Sequence, residues 1–136
     1  MDHYLNSVKQ FQEVFGHFNN TTPTALDMEA RKLRFGLAKE ELDEYLLSSD
    51  LEGQVDAIVD QLYVLCGTIV AHGLQDRIQE LFDAVHESNM SKLGEDGKPL
   101  LNGFNTPLNG LYPVGKVLKG PNYFKPDERI REILSK

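Results

Sequence analysis

Residues 54–72 constrain the fold of this chain more than any other stretch. Val55, Ile58, Val59, Leu62, Leu65, Cys66 and Ile69 recur at i, i+3, i+4, i+7, the period of an α-helix. Ala57, Tyr63, Val64, Val70 and Ala71 cover most of the remaining surface, and a helix apolar nearly all round belongs inside a bundle. The same segment carries Asp56 and Asp60, four residues apart and so on one face. A buried carboxylate must be paired, protonated or bound to metal. From Glu40 to Asp60 there are eight carboxylates and no lysine or arginine, the next being Arg77. With no local base for pairing, a metal ion is the economical partner.

Three further helices surround this one. Leu5, Val8, Phe11, Gln12 and Phe15 lie at helical spacing within residues 4–15, and Gly16 is a natural stop. Phe11 and Gln12 have the position to line a base pocket, although the spacing assigns Phe11 to the core. Residues 28–47 form the second helix, with Asp27 as N-cap and Ala30, Leu33, Leu37, Leu42 and Leu46 on its apolar face. A break follows at Ser48–Gly53, and the third helix runs from Gln54 to His72. Gln75 to Met90 reads as the fourth, with Ile78, Leu81, Phe82 and Val85 inward. Gly and Pro crowd the region from Gly94 to Pro121, which makes regular structure there unexpected. Asp127 then caps a short last helix, 128–134. The expectation is an all-α bundle of four main helices, a long irregular C-terminal loop region and a short final helix, in one domain spanning residues 1–136.

A net charge of −7 argues against general nucleic-acid or membrane-surface binding. The charge is uneven, however: eight of the fourteen lysines and arginines fall between Lys92 and Lys136. Central acids and C-terminal bases are therefore placed to share one ligand. The single cysteine, Cys66, sits in an apolar run, where a structural thiol is expected, and fits a reducing compartment. The first residues show no secretory pattern and no stretch of eighteen apolar residues occurs, so a cytoplasmic location is expected.

The chemistry concentrates on two helices. Glu40, Glu41 and Glu44 cluster on about a third of the second helix, facing Asp56 and Asp60 on the third. A run of this kind is either a solvated acidic face or a cation site, and the apolar surround of the second pair favours the cation. Oxygen donors without His or Cys suit Mg²⁺, or Mn²⁺, rather than zinc. His3, His17, His72 and His86 are scattered, and none makes the Glu-x-x-His pair of a di-iron bundle. Mg²⁺ typically bridges protein carboxylates to substrate phosphates, which makes Lys92, Lys116 and Lys119 candidates for the remaining phosphate charge.

Four blocks carry a resemblance. They are Leu33-Arg34 with Glu40-Glu41-Leu42-Asp43-Glu44; Asp56 through Gly67; Ser88 through Leu93; and Glu95 through Pro99 with Gly115 through Pro121. Together they resemble the MazG-like all-α nucleoside triphosphate pyrophosphohydrolases, in the branch of phosphoribosyl-ATP pyrophosphohydrolase-like and dimeric dUTPase-like proteins. The resemblance implies helical bundles assembled as homodimers or homotetramers, and Mg²⁺-dependent cleavage between the α and β phosphates of a nucleoside triphosphate. It further implies Glu41, Glu44 and Asp60 as metal ligands and Glu40 as a ligand or the group orienting the attacking water. Asn89 and Lys92 match positions that bind nucleotide or metal-bound phosphate. Two departures stand out. The second acidic motif of the family is ExxD, and its first position here is Ala57, leaving Asp56 to serve. The segment Leu101 to Val114 is also longer than is common. Beside the hydrolase stands a second expectation, a non-catalytic helical module for assembly or nucleotide sensing.

Overall fold

Each expected helix is present, and bounds shift where capping chemistry overrides periodicity. In the computed structural model, which describes residues 2–136, α1 spans Asp2–Val14, α2 Met28–Leu47, α3 Leu51–Ala71, α4 Ile78–Met90 and α5 Asp127–Leu134. Among the described residues there is no strand, only isolated bridges from Leu101 to Val117 and from Asn102 to Thr106. The protein is all-α.

The second helix begins as expected because Asp27 Oδ1 accepts the Ala30 N–H at 2.8 Å, satisfying a donor the helix cannot pair itself. The third begins three residues before Gln54. Asp50 accepts the Gly53 N–H at 2.8 Å, so the break shrinks to residues 48–50 and Gly53 falls in the first turn. At the fourth the correction runs the other way: the Arg77 N–H closes a turn on the Leu74 carbonyl (2.9 Å), and helix starts only at Ile78. Asp127 opens α5 from inside rather than capping it, with Pro126 before it.

The chain divides into two compact units, one through Ile78 and the other Gln79–Lys136. In the first, α3 packs on both α1 and α2. Its core joins Leu5 and Val8 of α1 to Cys66, Ile69 and Val70 of α3, with Leu74 and Ile78 packed against them. Cys66 is fully buried, and that burial pushes its thiol up, as suits a structural cysteine. By length and composition α3 could cross a membrane, yet two acids four residues apart and the packing on α1 and α2 make it a bundle helix.

The expectation that α3 is buried on most sides holds only from Cys66 on; before that point only Ala57 is buried. Cys66, Gly67, Ile69, Val70 and Ala71 are buried. Leu51, Val55, Ile58, Leu62 and Leu65 instead form an exposed stripe at spacings of four, three, four and three. The first unit offers α3 two covering helices, and a helix apolar all round needs more. A groove of about 490 Å³ between α2 and α3 continues this surface, lined by Phe35, Ala38, Leu42, Leu62 and Leu65.

In the second unit α4 and α5 are joined through Glu80, which Lys136 and Arg129 reach at 2.8 and 3.8 Å. Ser88 Oγ donates to the Phe124 carbonyl at 2.8 Å, and the Phe124 N–H donates to Ser91 Oγ at 3.2 Å. The irregular segment is organised by Asn102, which is fully buried. Its amide donates to the carbonyls of Asn109, Tyr112 and Pro113 at 3.0–3.1 Å, and its Oδ1 accepts the Asn109 N–H at 2.8 Å.

Gly73 closes the first unit with φ +70°, and a Cβ there would overlap the Thr22 carbonyl. Left-handed strain and overpacking together should make Gly73→Ala destabilising by about 2–5 kcal/mol. Gly36, mid-α2 with nothing within 4 Å of an added Cβ, should give a Gly36→Ala variant stabilised by up to about 1 kcal/mol. Urea melts measure both. A Gly73→Ala midpoint equal to wild type would refute the close approach.

Candidate functional site

Helices α2 and α3 form a hairpin across the short link, and this brings three acids together. Glu41 and Glu44, one turn apart on α2, meet Asp60 of α3 so that one carboxylate oxygen from each lies within 4.8 Å of the others. Glu41 and Asp60 are half-buried and Glu44 is exposed. Lys39, two residues before Glu41, is engaged elsewhere, its Nζ bonding Asp43 at 2.5 Å. Glu41 Oε2 is buried and has no hydrogen-bond partner among the described residues. Burial above all, then the charges of Glu44 and Asp60, a hydrogen bond to Glu44 and the charge of Glu40 hold the Glu41 carboxyl above its ordinary range.

Asp56, expected to converge with these three, does not. It is exposed and lies outside the group. Residues four apart share a helix face but differ in height by about 6 Å, and it is Asp60 that stands level with Glu41. Glu40 is exposed and projects about 100° around the helix from Glu41, contributing charge without joining the cluster.

Next to the acids lies a cleft of about 280 Å³ whose lining includes Glu41, Asp60, Phe11, Gln12, His17 and Tyr63. Phe11, expected in the core, is 39 % exposed and meets Tyr63 edge-on, ring centroids 5.6 Å apart. Gln12 is buried at the cleft wall. It accepts a hydrogen bond from Arg34, whose guanidinium also bonds Val64 and Thr68 of α3. In the sequence Arg34 stands only within the first block of the resemblance, with no role of its own. A signal was there: it precedes Glu41 by seven residues, two helical turns, and so shares its face, as Thr68 and Val64 share the face of Asp60.

The four residues expected to bind phosphate lie in the second unit. Lys92 Nζ donates to Asn89 Oδ1 at 2.8 Å at the end of α4, beside a cavity of about 330 Å³ that both line. Lys116 Nζ sits 4.0 Å from the ring centre of Tyr112, and Lys119 Nζ 4.9 Å from that of Tyr123.

Three clustered carboxylates, one with an orphaned buried oxygen, fit a hard divalent cation. The raised Glu41 carboxyl has a measurable consequence in metal-free protein. Between its ordinary and its raised value the folded state holds a proton that the unfolded state has lost, so stability falls as pH rises through that window. In EDTA, Glu41→Gln should remove this fall, melting above wild type at neutral pH and converging with it in acid. Parallel melting curves for the two proteins from pH 4 to 8 would refute it.

No curated protein matches the chain. Its fold is similar to the crystal structure of a candidate NTP pyrophosphohydrolase from Exiguobacterium sp. 255-15, at 22% identity over 97% of this chain and 94% of that one, with a TM-score of 0.51. Residues 8–89 match the family described as phosphoribosyl-ATP pyrophosphohydrolase. That span runs from α1 to the end of α4 and takes in the cleft and the three clustered acids. The chain thus belongs to the phosphoribosyl-ATP pyrophosphohydrolase family and is a hydrolase acting on phosphoric anhydrides.

Proposed function

We propose that the protein is a Mg²⁺-dependent nucleoside triphosphate pyrophosphohydrolase, cleaving between the α and β phosphates to release a nucleoside monophosphate and pyrophosphate. The observation that carries this reading is the orphaned Glu41 oxygen within a carboxylate triad, adjoining a cleft whose lining includes the rings of Phe11 and Tyr63, the Gln12 amide and the Arg34 guanidinium. Glu41, Glu44 and Asp60 would hold Mg²⁺ (or Mn²⁺). When bound, the ion offsets phosphate charge and lowers the pKa of water. Glu40, solvent-facing and outside the cluster, would orient the attacking water. Phe11 and Tyr63 offer surfaces for a base to stack on. On the second unit, Asn89, Lys92, Lys116 and Lys119 are candidate donors for phosphate oxygens. Lys116 and Lys119 each rest on a tyrosine ring, a contact worth about 0.5–1 kcal/mol.

One observation favours a second reading. With Ala57 in place of the family's acid and Asp56 outside the cluster, the cation site has three carboxylates rather than four, which also suits a nucleotide-sensing module. Pyrophosphate release from a panel of nucleoside triphosphates, with Mg²⁺ and with EDTA, separates the two. Turnover should require the metal, fall more than about 100-fold in Asp60→Asn, and stay within about tenfold in Asp56→Asn. No turnover of any triphosphate would favour the sensor.

The exposed stripe on α3 supports a further proposal, that the chain assembles as a homodimer or homotetramer with this face covered. Wild type should sediment as an oligomer, and Ile58→Arg should shift it towards monomer. A monomeric wild type at micromolar concentration would sink the idea.

A further inference from the structure

Arg34 decides which way the amide of the cleft faces. Its guanidinium donates through Nη1 to Gln12 Oε1 at 3.2 Å, through Nη2 to the Val64 carbonyl at 2.7 Å and through Nε to Thr68 Oγ1 at 3.0 Å. Gly67 makes room for the pair, since a Cβ there would overlap both Arg34 Nη2 and Gln12 Oε1. Arginine carries five N–H donors and no acceptor. The Gln12 side chain must therefore turn its oxygen to Arg34 and its nitrogen away, and Nε2 donates to Asn19 Oδ1. Asn19 in turn ends the line on Nδ2, buried and without a partner among the described residues. A donor-only anchor has oriented the whole row, turning the Gln12 oxygen toward Arg34 and the amide nitrogens away from it.

This orientation reaches the cleft through Gln12. The residue is 2 % exposed, yet it lines the cleft together with Arg34 itself, Phe11, Tyr63 and the acids Glu41 and Asp60. One N–H of its Nε2 goes to Asn19; the other is the donor that remains for a ligand. A planar heterocycle stacked against the rings would meet that N–H at its edge. An oxo group there accepts it. An exocyclic amino group sets donor against donor and leaves a buried N–H unpaired, which is costly.

We infer that Gln12, positioned by Arg34, selects bases that present an oxo group (uracil, thymine, guanine) over those that present an amino group in its place (cytosine, adenine). The inference rests on the nucleotide reading above and adds the class of base to it. Arg34 acts through Gln12 as a positioning residue, and Gln12 is the group that touches the base.

The test is binding of dUMP, dCMP, dGMP and dAMP to the full chain with Mg²⁺ by titration calorimetry, alongside pyrophosphate release from the matching triphosphates. In wild type each oxo nucleotide should bind about tenfold or more tightly than its amino counterpart. Arg34→Met frees Gln12 to turn over and should bring both ratios within about threefold. Arg34→Lys keeps a donor-only partner and should retain the preference at lower affinity. Gln12→Glu presents no N–H and should abolish or reverse the preference, and it stands in for Arg34→Met if that variant does not fold. A merely structural role would lower all four affinities together, so ratios unchanged in folded Gln12→Glu overturn the inference. Equal binding of oxo and amino nucleotides by wild type, or binding of none, overturns it too. Selective binding without pyrophosphate release keeps the inference and refutes the catalytic reading. Release without base preference does the reverse.

Discussion

Three hydrogen bonds from one guanidinium set the register of the first unit. Arg34 projects from α2 and bonds Val64 and Thr68 on α3, while its third donor holds Gln12 of α1. A hydrogen bond to a charged group contributes about 1.5–3 kcal/mol, large beside the margin by which a small domain is folded. The half-buried guanidinium loses some solvation, which draws its pKa down, and it recovers that loss only when its donors are met. Register follows from spacing. Asp60, Val64 and Thr68 rise along one side of α3 in steps of four, and Glu41 stands two turns beyond Arg34 on α2. Once Arg34 is fixed against Val64 and Thr68, Glu41 has to meet Asp60.

The acid cluster is in this sense imposed on the fold. Apart from the hydrogen bond between Glu41 and Glu44, the members of the triad repel one another. Burial and like charge both oppose ionisation of Glu41, and its orphaned oxygen is a further local cost. The helix hairpin carries that cost because α3 is fastened elsewhere, by the core around Cys66, Ile69 and Val70 at its C-terminal half. Stability and chemistry thus occupy different parts of one helix, its last turns and its middle. The buried turns anchor, and the part before them brings a carboxylate to the site and an apolar stripe to the surface.

How much of this was legible in the sequence depended on whether the signal was periodic. Helix α2 was read to its ends because a 3.6-residue pattern coincided with an aspartate cap and a loop on either side. The start of α3 was missed since Asp50 looks like part of a loop until its side chain is seen bonding the Gly53 N–H. Face was readable where height was not: four-residue spacing put Asp56 beside Asp60, but which of them stands opposite Glu41 depends on how two helices cross. Phe11 has the spacing of a core residue and lines a cleft instead. Its environment is set by what fails to cover it, and no property of residues 4–15 records that.

The second unit shows the same limit in stronger form. Gly and Pro content correctly excluded strands and helices between Gly94 and Pro121 and left no hint of what replaces them. The organiser is Asn102, buried without exposure, whose amide gathers three carbonyls and whose oxygen takes an N–H from the same turn. Hydrogen bonds of this kind need neither a period nor a run of apolar residues, only one amide of the right length at one place. Burying an amide is costly unless each of its groups is met, so such a hub depends on its own completeness. Around it the side chains of Phe104, Leu108, Leu111 and Val114 remain exposed. With apolar burial so incomplete there, saturated polar bonding at the centre is what is left to define the path of the backbone through this segment.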